Sequence, residues 1–298
     1  MNQFITAVLT SLSSGAIYAL MSISLVLVWR STRVVNFAQA GQAVLTTFIG
    51  YEVTVRSGSY WIGLIAAVIS GAVVGAIIDR FFMRPIFKRV KSGPIVMIAP
   101  VVATLGLLGL IQAIIGFIWG FTYVSIEAPV STDGYNLFGT VVAFSPFNLM
   151  VLVAVTIAML LLTLLFQKTN IGLALRASAF SPEIARLSGI KVDAVRTLGW
   201  AIAGAAGGLA GMLYVPGSYL HPNAMDVLLV FGFIAAVIGG LDSLFGAVAG
   251  AMILGFAINF ATSYISYKLV FITAFALLIT VLLVKPNGIF SSSKGRKD

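Results

Sequence analysis

Long apolar runs without a single charge constrain this 298-residue chain more than any other feature. The run 148–166, NLMVLVAVTIAMLLLTLLF, contains no Asp, Glu, Lys or Arg. A bilayer core about 30 Å thick is crossed by roughly 20 such residues in a helix, and a helix satisfies all of its own backbone polar groups there. Because 60% of the residues are hydrophobic and only 9% are charged, the chain is predicted to be all-α, a polytopic membrane helical bundle and not a soluble fold.

Basic residues lie in clusters between the apolar runs, and these clusters indicate the orientation of the chain. The 18 Lys and Arg residues outnumber the nine Asp and Glu residues, which gives a net charge of +9 at pH 7. Most of them lie at Arg30 and Arg33, in 80–91, in 168–196 and in 285–297. Cytoplasmic loops are enriched in Lys and Arg, so we interpret the clusters as cytoplasmic segments and expect no nucleic-acid partner.

Placing the basic clusters inside predicts about nine spans (eight to ten), an external N-terminus and a cytoplasmic C-terminus. The predicted spans are Phe4–Trp29, Gln42–Arg56, Tyr60–Phe82, Ile95–Trp119, Phe147–Phe166, Thr197–Tyr214, Val227–Ile238, Leu244–Tyr264 and Leu269–Val284. The segment 120–145 has Glu127 and Asp133 but no Lys or Arg, which predicts an external loop. We expect a single transmembrane domain over 1–298, with a disordered polar tail at 291–298.

Two of these spans, Gln42–Arg56 and Val227–Ile238, are near or below the length needed to cross a bilayer. Short or interrupted spans often line the substrate path of a transporter, because unwound backbone persists in a membrane only where it faces protein or water. A tilted helix is an equally acceptable interpretation. Glycines at GxxxG spacing predict close helix packing in the bundle; the pairs are 71/75, 116/120, 204/208, 207/211 and 246/250.

Several kinds of chemistry have no residues to support them in this chain. It has no Cys, one His (His221) and no P-loop motif, so we expect no metal site and no nucleotide or other cofactor bound by the chain itself. An enzyme is disfavoured because paired carboxylates and a nucleophile with a base are missing. An ion-coupled transporter would carry an acidic residue inside a span, whereas the candidates lie at span edges: Glu52, Asp79, Asp226 and Asp242.

A charged island, SAFSPEIARLSGIKVDAVRTLGW at 178–200, interrupts the apolar sequence. Ser181 and Pro182 are typical of an N-cap and a first helical position, an acidic Glu183 follows in the first turn, and Gly189 is a typical stop signal. The island is therefore predicted to hold a short amphipathic helix in the cytoplasm. It is either a solvated loop with weak ion pairs or a helix that docks in a groove on a cytoplasmic partner.

Five ordered segments of the sequence resemble the permease family of branched-chain amino acid (Liv-type) ABC importers. They are GAIYALMSISLVLVWRSTRVVNFAQAGQ (15–42), ATLGLLGLIQAIIGFIWG (103–120), GLALRASAFSPEIARLSGIKVDAVRTLGWAIAGAAGGLAGML (172–213), VIGGLDSLFGAVAGAMILG (237–255) and LLVKPNGIF (282–290). The length and the early Asn-Phe-Ala motif are similar to the shorter of the two permease types. Many relatives carry His-Gly where Gln39-Ala40 stands here, a departure that weakens any claim about substrate contact.

The resemblance implies a subunit that forms half of a translocation pathway and docks an ATPase through a coupling loop at 168–196. It implies coupling contacts by Glu183, Ile184, Ala185, Arg186, Leu187, Gly189 and Ile190. The implied partners are a second related permease, two ATP-binding subunits that carry ATP and Mg, and an external substrate-binding protein. The implied location is the bacterial plasma (inner) membrane, and the implied substrates are branched-chain or similar amino acids, with urea or nucleosides as alternatives.

Polar residues at the start of the second span are the candidate pathway residues: Asn36, Phe37, Gln39 and Gln42. Polar side chains facing lipid are costly, so these residues face either a cavity or another helix, where they would hydrogen-bond across the interface. Gln112 and Asn259 are expected to join helices in the same way. We further expect Asp79 to pair with Arg80, and Asp242 to cap the helix that follows it.

Overall fold

The computed structural model describes residues 2–89, 95–137 and 140–290. The described residues form twelve α-helices: α1 (Asn2–Thr32), α2 (Gln39–Ser57), α3 (Tyr60–Ile77), α4 (Arg84–Arg89), α5 (Ile95–Trp119), α6 (Pro146–Lys168), α7 (Asn170–Phe180), α8 (Pro182–Leu187), α9 (Val192–Tyr214), α10 (Asp226–Gly239), α11 (Leu244–Tyr264) and α12 (Val270–Val284). A π-helical segment, Ile78–Met83, joins α3 to α4. The predicted helical class is confirmed, and the tail 291–298 lies outside the described residues.

Strand structure in the described part of the chain is confined to one small pair in the loop between α5 and α6. Strand β1 (Asn136–Leu137) pairs antiparallel with β2 (Thr140–Val141). A single bridge between Val124 and Leu220 ties this loop to the turn before α10. The 120–145 loop, which is predicted to be external, is therefore held against the turn before α10, which is predicted on the same side of the membrane.

Seven helical stretches of the described residues are long and apolar enough to cross a membrane. They correspond to seven of the nine predicted spans, so the chain is a multi-pass membrane protein. The other two predicted spans are helices as well, but α10 has 14 residues and is only about 21 Å long, short of the hydrocarbon thickness. Helix α2 is continuous over 19 residues, but polar residues interrupt its apolar sequence. The total of nine spans stays a prediction.

Helix α1 runs through the middle of the bundle. Every side chain from Ala19 to Val28 is buried, and α1 packs against α6, α9, α10 and α11. A helix that is apolar on all sides is stable only when protein or lipid surrounds it completely. Within α1 the hydroxyl of Ser24, which is also buried, donates to the carbonyl of Met21 at 2.7 Å. An apolar surface alone would allow either surrounding, so the central position of α1 is decided by its packing against these four helices.

Helices α3 and α9 cross at glycine contacts. A methyl group added to Gly71 would lie 2.3 Å from the carbonyl oxygen of Gly204, and one on Gly208 would lie 2.3 Å from that of Ala67. The predicted pairs at 71/75, 204/208, 207/211 and 246/250 all lie in such crossings. The pair 116/120 does not: Gly116 accommodates the Phe121 ring, and Gly120 ends α5 with a φ of +78°. The prediction of close packing at 116/120 is therefore wrong, because Gly120 ends the helix.

Segments that are predicted to lie on opposite sides of the membrane are found at opposite ends of the bundle. At one end, which we call the basic end, Arg33 pairs with Asp242 and Arg196 with Asp79. At the opposite end, the hydroxyl of Tyr60 donates to the carbonyl of Met212 at 2.7 Å. Segments predicted on the same side of the membrane thus contact one another. That the basic end faces the cytoplasm stays a prediction of the charge distribution.

Candidate functional site

Helix α8 forms in the charged island with the start and stop that its sequence predicts. The Ser181 hydroxyl accepts from the amide of Ile184 at 3.4 Å, and Pro182 takes the first helical position. At the other end Gly189 has a φ of +81°; its amide donates to Arg186 and the amide of Ile190 donates to Ala185. This is a Schellman motif, which satisfies the last carbonyls and favours Gly at the left-handed position.

An apolar surface on α8 and the end of α7 points away from the rest of the protein. The side chains of Phe180, Ile184 and Leu187 are 91%, 61% and 88% exposed. Ala185 is buried and fixes the inner face of α8 against its neighbours. Single exposed apolar residues are ordinary, but three on one short helix-turn-helix element form a patch that a partner could cover. We call Phe180, Ile184 and Leu187 the docking patch.

The other predicted coupling residues surround the docking patch. Glu183 and Gly189 are exposed, and Ile190 is half-buried. Arg186 is exposed, and its Nη2 lies 3.7 Å from Oδ1 of Asp193 in α9. Exposed pairs of this kind stabilise a fold by no more than about 1 kcal/mol. Six of the seven predicted residues are thus at least partly exposed, and Ala185 alone is buried.

The patch is followed directly by α9, and a buried carboxylate fixes the start of α9 to α3. Asp79 of the π-helical segment is fully buried; its Oδ1 accepts from Nε of Arg196 at 2.8 Å and its Oδ2 accepts from the Thr197 hydroxyl at 2.6 Å. The Arg196 guanidinium also lies over the Phe87 ring, 5.3 Å from its centre. A buried charge requires such pairing, because leaving it alone is costly.

Arg84 of α4 completes this buried cluster. Its guanidinium lies 3.6 Å from Asp79 and donates to the Thr197 hydroxyl at 2.7 Å and to the Asp193 carbonyl at 2.9 Å. The prediction that Asp79 pairs with Arg80 is wrong, since Arg80 is exposed while Asp79 points inward. In the sequence, Asp79 is recognisable as an acidic residue at the end of an apolar run. Its partner is not, because the basic clusters at 80–91 and 168–196 both offer candidates.

Helix α7 was missed by sequence reasoning, which treated 168–180 as the lead of the coupling loop. Thr169 caps it, with its hydroxyl accepting from the amide of Gly172 at 3.0 Å. The helix packs against α6, α8 and α9. It therefore places the docking patch on a helical support and not on a mobile loop.

The candidate pathway residues lie at the start of α2, and the three amides among them are fully buried. Nε2 of Gln39 donates to the Ala203 carbonyl of α9 at 3.0 Å, and its Oε1 accepts from Nδ2 of Asn36 at 3.2 Å. Nε2 of Gln42 donates to the Gly71 carbonyl of α3 at 3.2 Å. Gln39 and Gln42 thus each donate to the backbone of a neighbouring helix, which favours the alternative that they join helices, whereas Asn36 bonds the Gln39 side chain.

Phe37, the remaining candidate, lies at the edge of the same group. Its amide donates to the Thr104 hydroxyl of α5 at 3.3 Å, and its ring packs against Phe233 of α10. Phe37 thus contacts α5 through its amide and the short helix α10 through its half-buried ring. Two acceptor oxygens nearby, Oδ1 of Asn36 and Oε1 of Gln42, have no partner among the described residues.

The remaining polar predictions have mixed outcomes. Nε2 of Gln112 donates to Asp226 at 2.9 Å and so joins α5 to α10, as expected. Nδ2 of Asn259 donates within its own helix, to the Gly255 carbonyl at 2.9 Å, so it does not join two helices. Asp242 does not cap α11; Ser243 does, accepting from the Gly246 amide at 2.9 Å, while Asp242 pairs with Arg33.

Comparison with known proteins places these elements in context. A family profile described as "branched-chain amino acid transport system / permease component" matches residues 7–284. A probable branched-chain amino acid transport permease protein, LivH, of Methanocaldococcus jannaschii is 31% identical, covering 91% of this chain and 87% of its own. The LivH protein of Salmonella typhimurium, a permease of a high-affinity branched-chain amino acid transport system, is 27% identical over 99% of this chain and 97% of its own.

A more distant relative has another substrate in its name. The nucleoside ABC transporter permease protein NupB of Lactococcus lactis subsp. cremoris is 24% identical over 51% of this chain and 46% of its own. No solved structure matches the chain significantly. The relatives are named as transport permeases and not as enzymes.

Proposed function

The chain belongs to the family of permease components of branched-chain amino acid transport systems, and from that premise we propose that it is the membrane-spanning subunit of an ATP-driven importer. It forms half of the translocation pathway for branched-chain or similar small amino acids. ATP hydrolysis takes place on a separate subunit, with ATP and Mg bound there. The plasma membrane, the inner membrane in a bacterium, is the proposed location.

The docking patch is the observation that carries this proposal. Phe180 at the end of α7, and Ile184 and Leu187 on the capped helix α8, are more than half exposed at the basic end. An apolar helix face that fits a groove on a partner, flanked by charges that fix its position, is a recurring mode of recognition. Glu183 and Arg186 provide those flanking charges. We propose that one ATP-binding subunit holds α8 through this patch.

Movement of α8 would reach the membrane through α9. Only residues 188–191 connect α8 to α9, and the beginning of α9 is fixed to the π-helical segment by Asp79 and Arg196. Glycine contacts then join α9 to α3 along the bundle. Closure of two ATP-binding subunits would therefore move α8, α9 and α3 together, as a rigid-body switch between outward-open and inward-open states.

The proposed assembly contains a second related permease, two ATP-binding subunits and an external substrate-binding protein. The binding protein would contact the end opposite the basic end, where the 120–145 loop and the 215–226 turn are joined by the Val124–Leu220 bridge. Amino-acid selectivity would rest largely on that protein. Nucleosides or urea are the alternative substrates, and the NupB relative is the observation that favours nucleosides.

Copurification of the chain with its ATP-binding partners tests the proposal. The full chain is expressed together with the transport genes that neighbour its own, and the bound subunits are counted. We expect two ATP-binding subunits per assembly, and we expect Leu187→Asp and Glu183→Arg to release them. Leucine uptake into proteoliposomes, with the binding protein and ATP present, is expected to fall in parallel.

Val130→Asp is the matched control, since it places one carboxylate at an exposed apolar residue of the 120–145 loop. It should leave the ATP-binding subunits bound. Uptake that proceeds without any ATP-binding subunit would exclude the proposal, as would full retention of those subunits by Leu187→Asp. Measuring which ligand the binding protein retains then decides between amino acids and nucleosides.

A further inference from the structure

A cavity of about 420 Å³ lies at the basic end, between α1, α6, α7 and α11. It is separate from the docking patch and from the buried amides of α2. Two kinds of side chain line it. Arg30, Arg176 and Asp242 lie at its polar side, together with Thr163, Gln167 and Ser243. The rest of the lining is apolar, and includes Met159, Leu162, Phe166, Val248, Phe245 and Phe290.

The polar side of the cavity has an excess of positive charge. The half-buried Arg30 guanidinium lies over the Phe166 ring, 5.5 Å from its centre. Arg176 is exposed and makes one long hydrogen bond, from Nε to the Gly172 carbonyl at 3.4 Å. Asp242, the acidic residue that lines the cavity, is already paired with Arg33 from outside it. Within the described part of the chain, neither Arg30 nor Arg176 is bound to a carboxylate.

The start of α11 adds to this positive potential. Ser243, Leu244 and Phe245 line the cavity and form the N-cap and first turn of a 21-residue helix. The first amides of a helix have no acceptor within it, and the helix dipole places partial positive charge there. Together with the two guanidiniums, this end of α11 forms an environment for an anion.

The depth of the cavity limits the kind of anion that would use it. Arg30 lies near the end of α1 and Thr163 to Gln167 lie near the end of α6, where a membrane-spanning helix is expected to leave the hydrocarbon core. The outer side of α6 is apolar next to the cavity, with Leu160, Leu161 and Leu164 all more than half exposed. An occupant therefore meets cationic groups at the membrane boundary and an apolar wall below them.

We propose that this cavity binds an anionic phospholipid. The phosphate group would contact Arg30, Arg176 and the start of α11, and the adjoining acyl chain would lie against Met159, Leu162 and Val248. Basic pockets between transmembrane helices on the cytoplasmic side are suited to such head groups. A zwitterionic amino acid fits less well, because the Asp242 carboxylate that would hold its ammonium group is engaged by Arg33.

Native mass spectrometry of the full chain, purified in detergent with the subunits that remain bound to it, tests the proposal. Phosphatidylglycerol, phosphatidylcholine and inorganic phosphate are titrated separately, and bound adducts are counted. We expect preferential binding of phosphatidylglycerol. The double variant Arg30→Gln/Arg176→Gln should weaken this binding by roughly tenfold or more, since each basic residue near a membrane surface contributes to anionic lipid binding.

Arg80→Gln/Arg89→Gln is the matched control, because it removes two exposed basic residues at the same end of the bundle. It should retain the preference, as should the charge-conserving Arg30→Lys/Arg176→Lys. Arg176→Gln alone removes an exposed side chain, so it keeps the test valid if the double variant does not fold.

Four results would overturn the proposal. Equal binding of the two lipids, or equal loss in the Arg80/Arg89 control, would mean that the cavity has no special role. Inorganic phosphate that binds as tightly as phosphatidylglycerol would identify a free-anion site. If a bound subunit covers the cavity and the assembly shows no lipid adduct, the cavity is a protein contact site.

Discussion

Nε of Arg196 donates a 2.8 Å hydrogen bond to Asp79, joining the first turns of α9 to the π-helical end of α3. The carboxylate is fully buried and Arg196 is 14% exposed. The π-helical segment that carries Asp79 departs from regular α geometry, which often marks a functional position. The pair therefore fixes the helix that follows α8 to the end of α3.

Removing the carboxylate of Asp79 should strongly destabilise the protein. Asp79→Ala leaves Arg196 and Arg84 without their acidic partner, and breaking a buried pair in this way costs about 3–5 kcal/mol. We expect the thermal unfolding midpoint in detergent to fall by about 5–10 °C. Glu52→Gln breaks the exposed Arg56–Glu52 pair and should change the midpoint by less than about 2 °C. Equal midpoints for the two variants would contradict a structural role for Asp79.

Adding one methyl group at Gly204 should disturb the crossing of α3 and α9. The new carbon would lie 2.1 Å from Nε2 of Gln42 and 2.1 Å from the Gly71 carbonyl oxygen. We expect Gly204→Ala to destabilise the protein by about 1–3 kcal/mol, as overpacking does in other cores, measured by thermal unfolding. Gly106→Ala is the control, because no atom lies within 4 Å of the added carbon. It should be neutral or slightly stabilising, since Ala favours a helix more than Gly does.

Replacing Gln39 distinguishes a pathway residue from a residue that joins helices. Gln39→Leu removes the bonds to Ala203 and Asn36 and leaves their buried groups without partners. A structural role predicts a loss of about 1–3 kcal/mol in stability, with the KM for uptake unchanged in the protein that remains folded. A changed KM with an unchanged unfolding midpoint would show that Gln39 contacts substrate. Uptake and unfolding are measured on the same proteoliposome preparation.

Local signals in the sequence were sufficient to predict the bounds of several helices. The bounds predicted for the fourth and eighth spans, Ile95–Trp119 and Leu244–Tyr264, agree with α5 and α11. The start and stop of α8 were also predicted correctly, because Ser181, Pro182 and Gly189 act on backbone groups a few residues away. Helix α7 was missed because its start depends on Thr169 in a region without a clear apolar period.

Partners distant in the chain were predicted poorly. Asp79 was paired with its sequence neighbour Arg80, whereas its hydrogen-bond partners, Arg196 and Thr197, lie more than a hundred residues away and only Arg84 of its partners is near it in the chain. In the same way, Asp242 was expected to cap a helix, and it pairs with Arg33 instead. A buried charge binds whichever opposite charge the fold brings to it, and the sequence around it does not identify that group.

The sequence by itself determined that the chain spans a membrane many times, that its long apolar runs are helices, and that a capped, exposed helix interrupts them. These properties depend on transfer from water to lipid and on hydrogen bonds between near neighbours, so they are encoded within 20 residues or fewer. Only the tertiary structure decided that α1 lies at the centre, that the amides of α2 face the backbones of α9 and α3, and that Arg30 and Arg176 share a cavity. Those relationships depend on which helices pack together, and in a lipid environment that choice follows from close surface contact between helices and not from hydrophobicity.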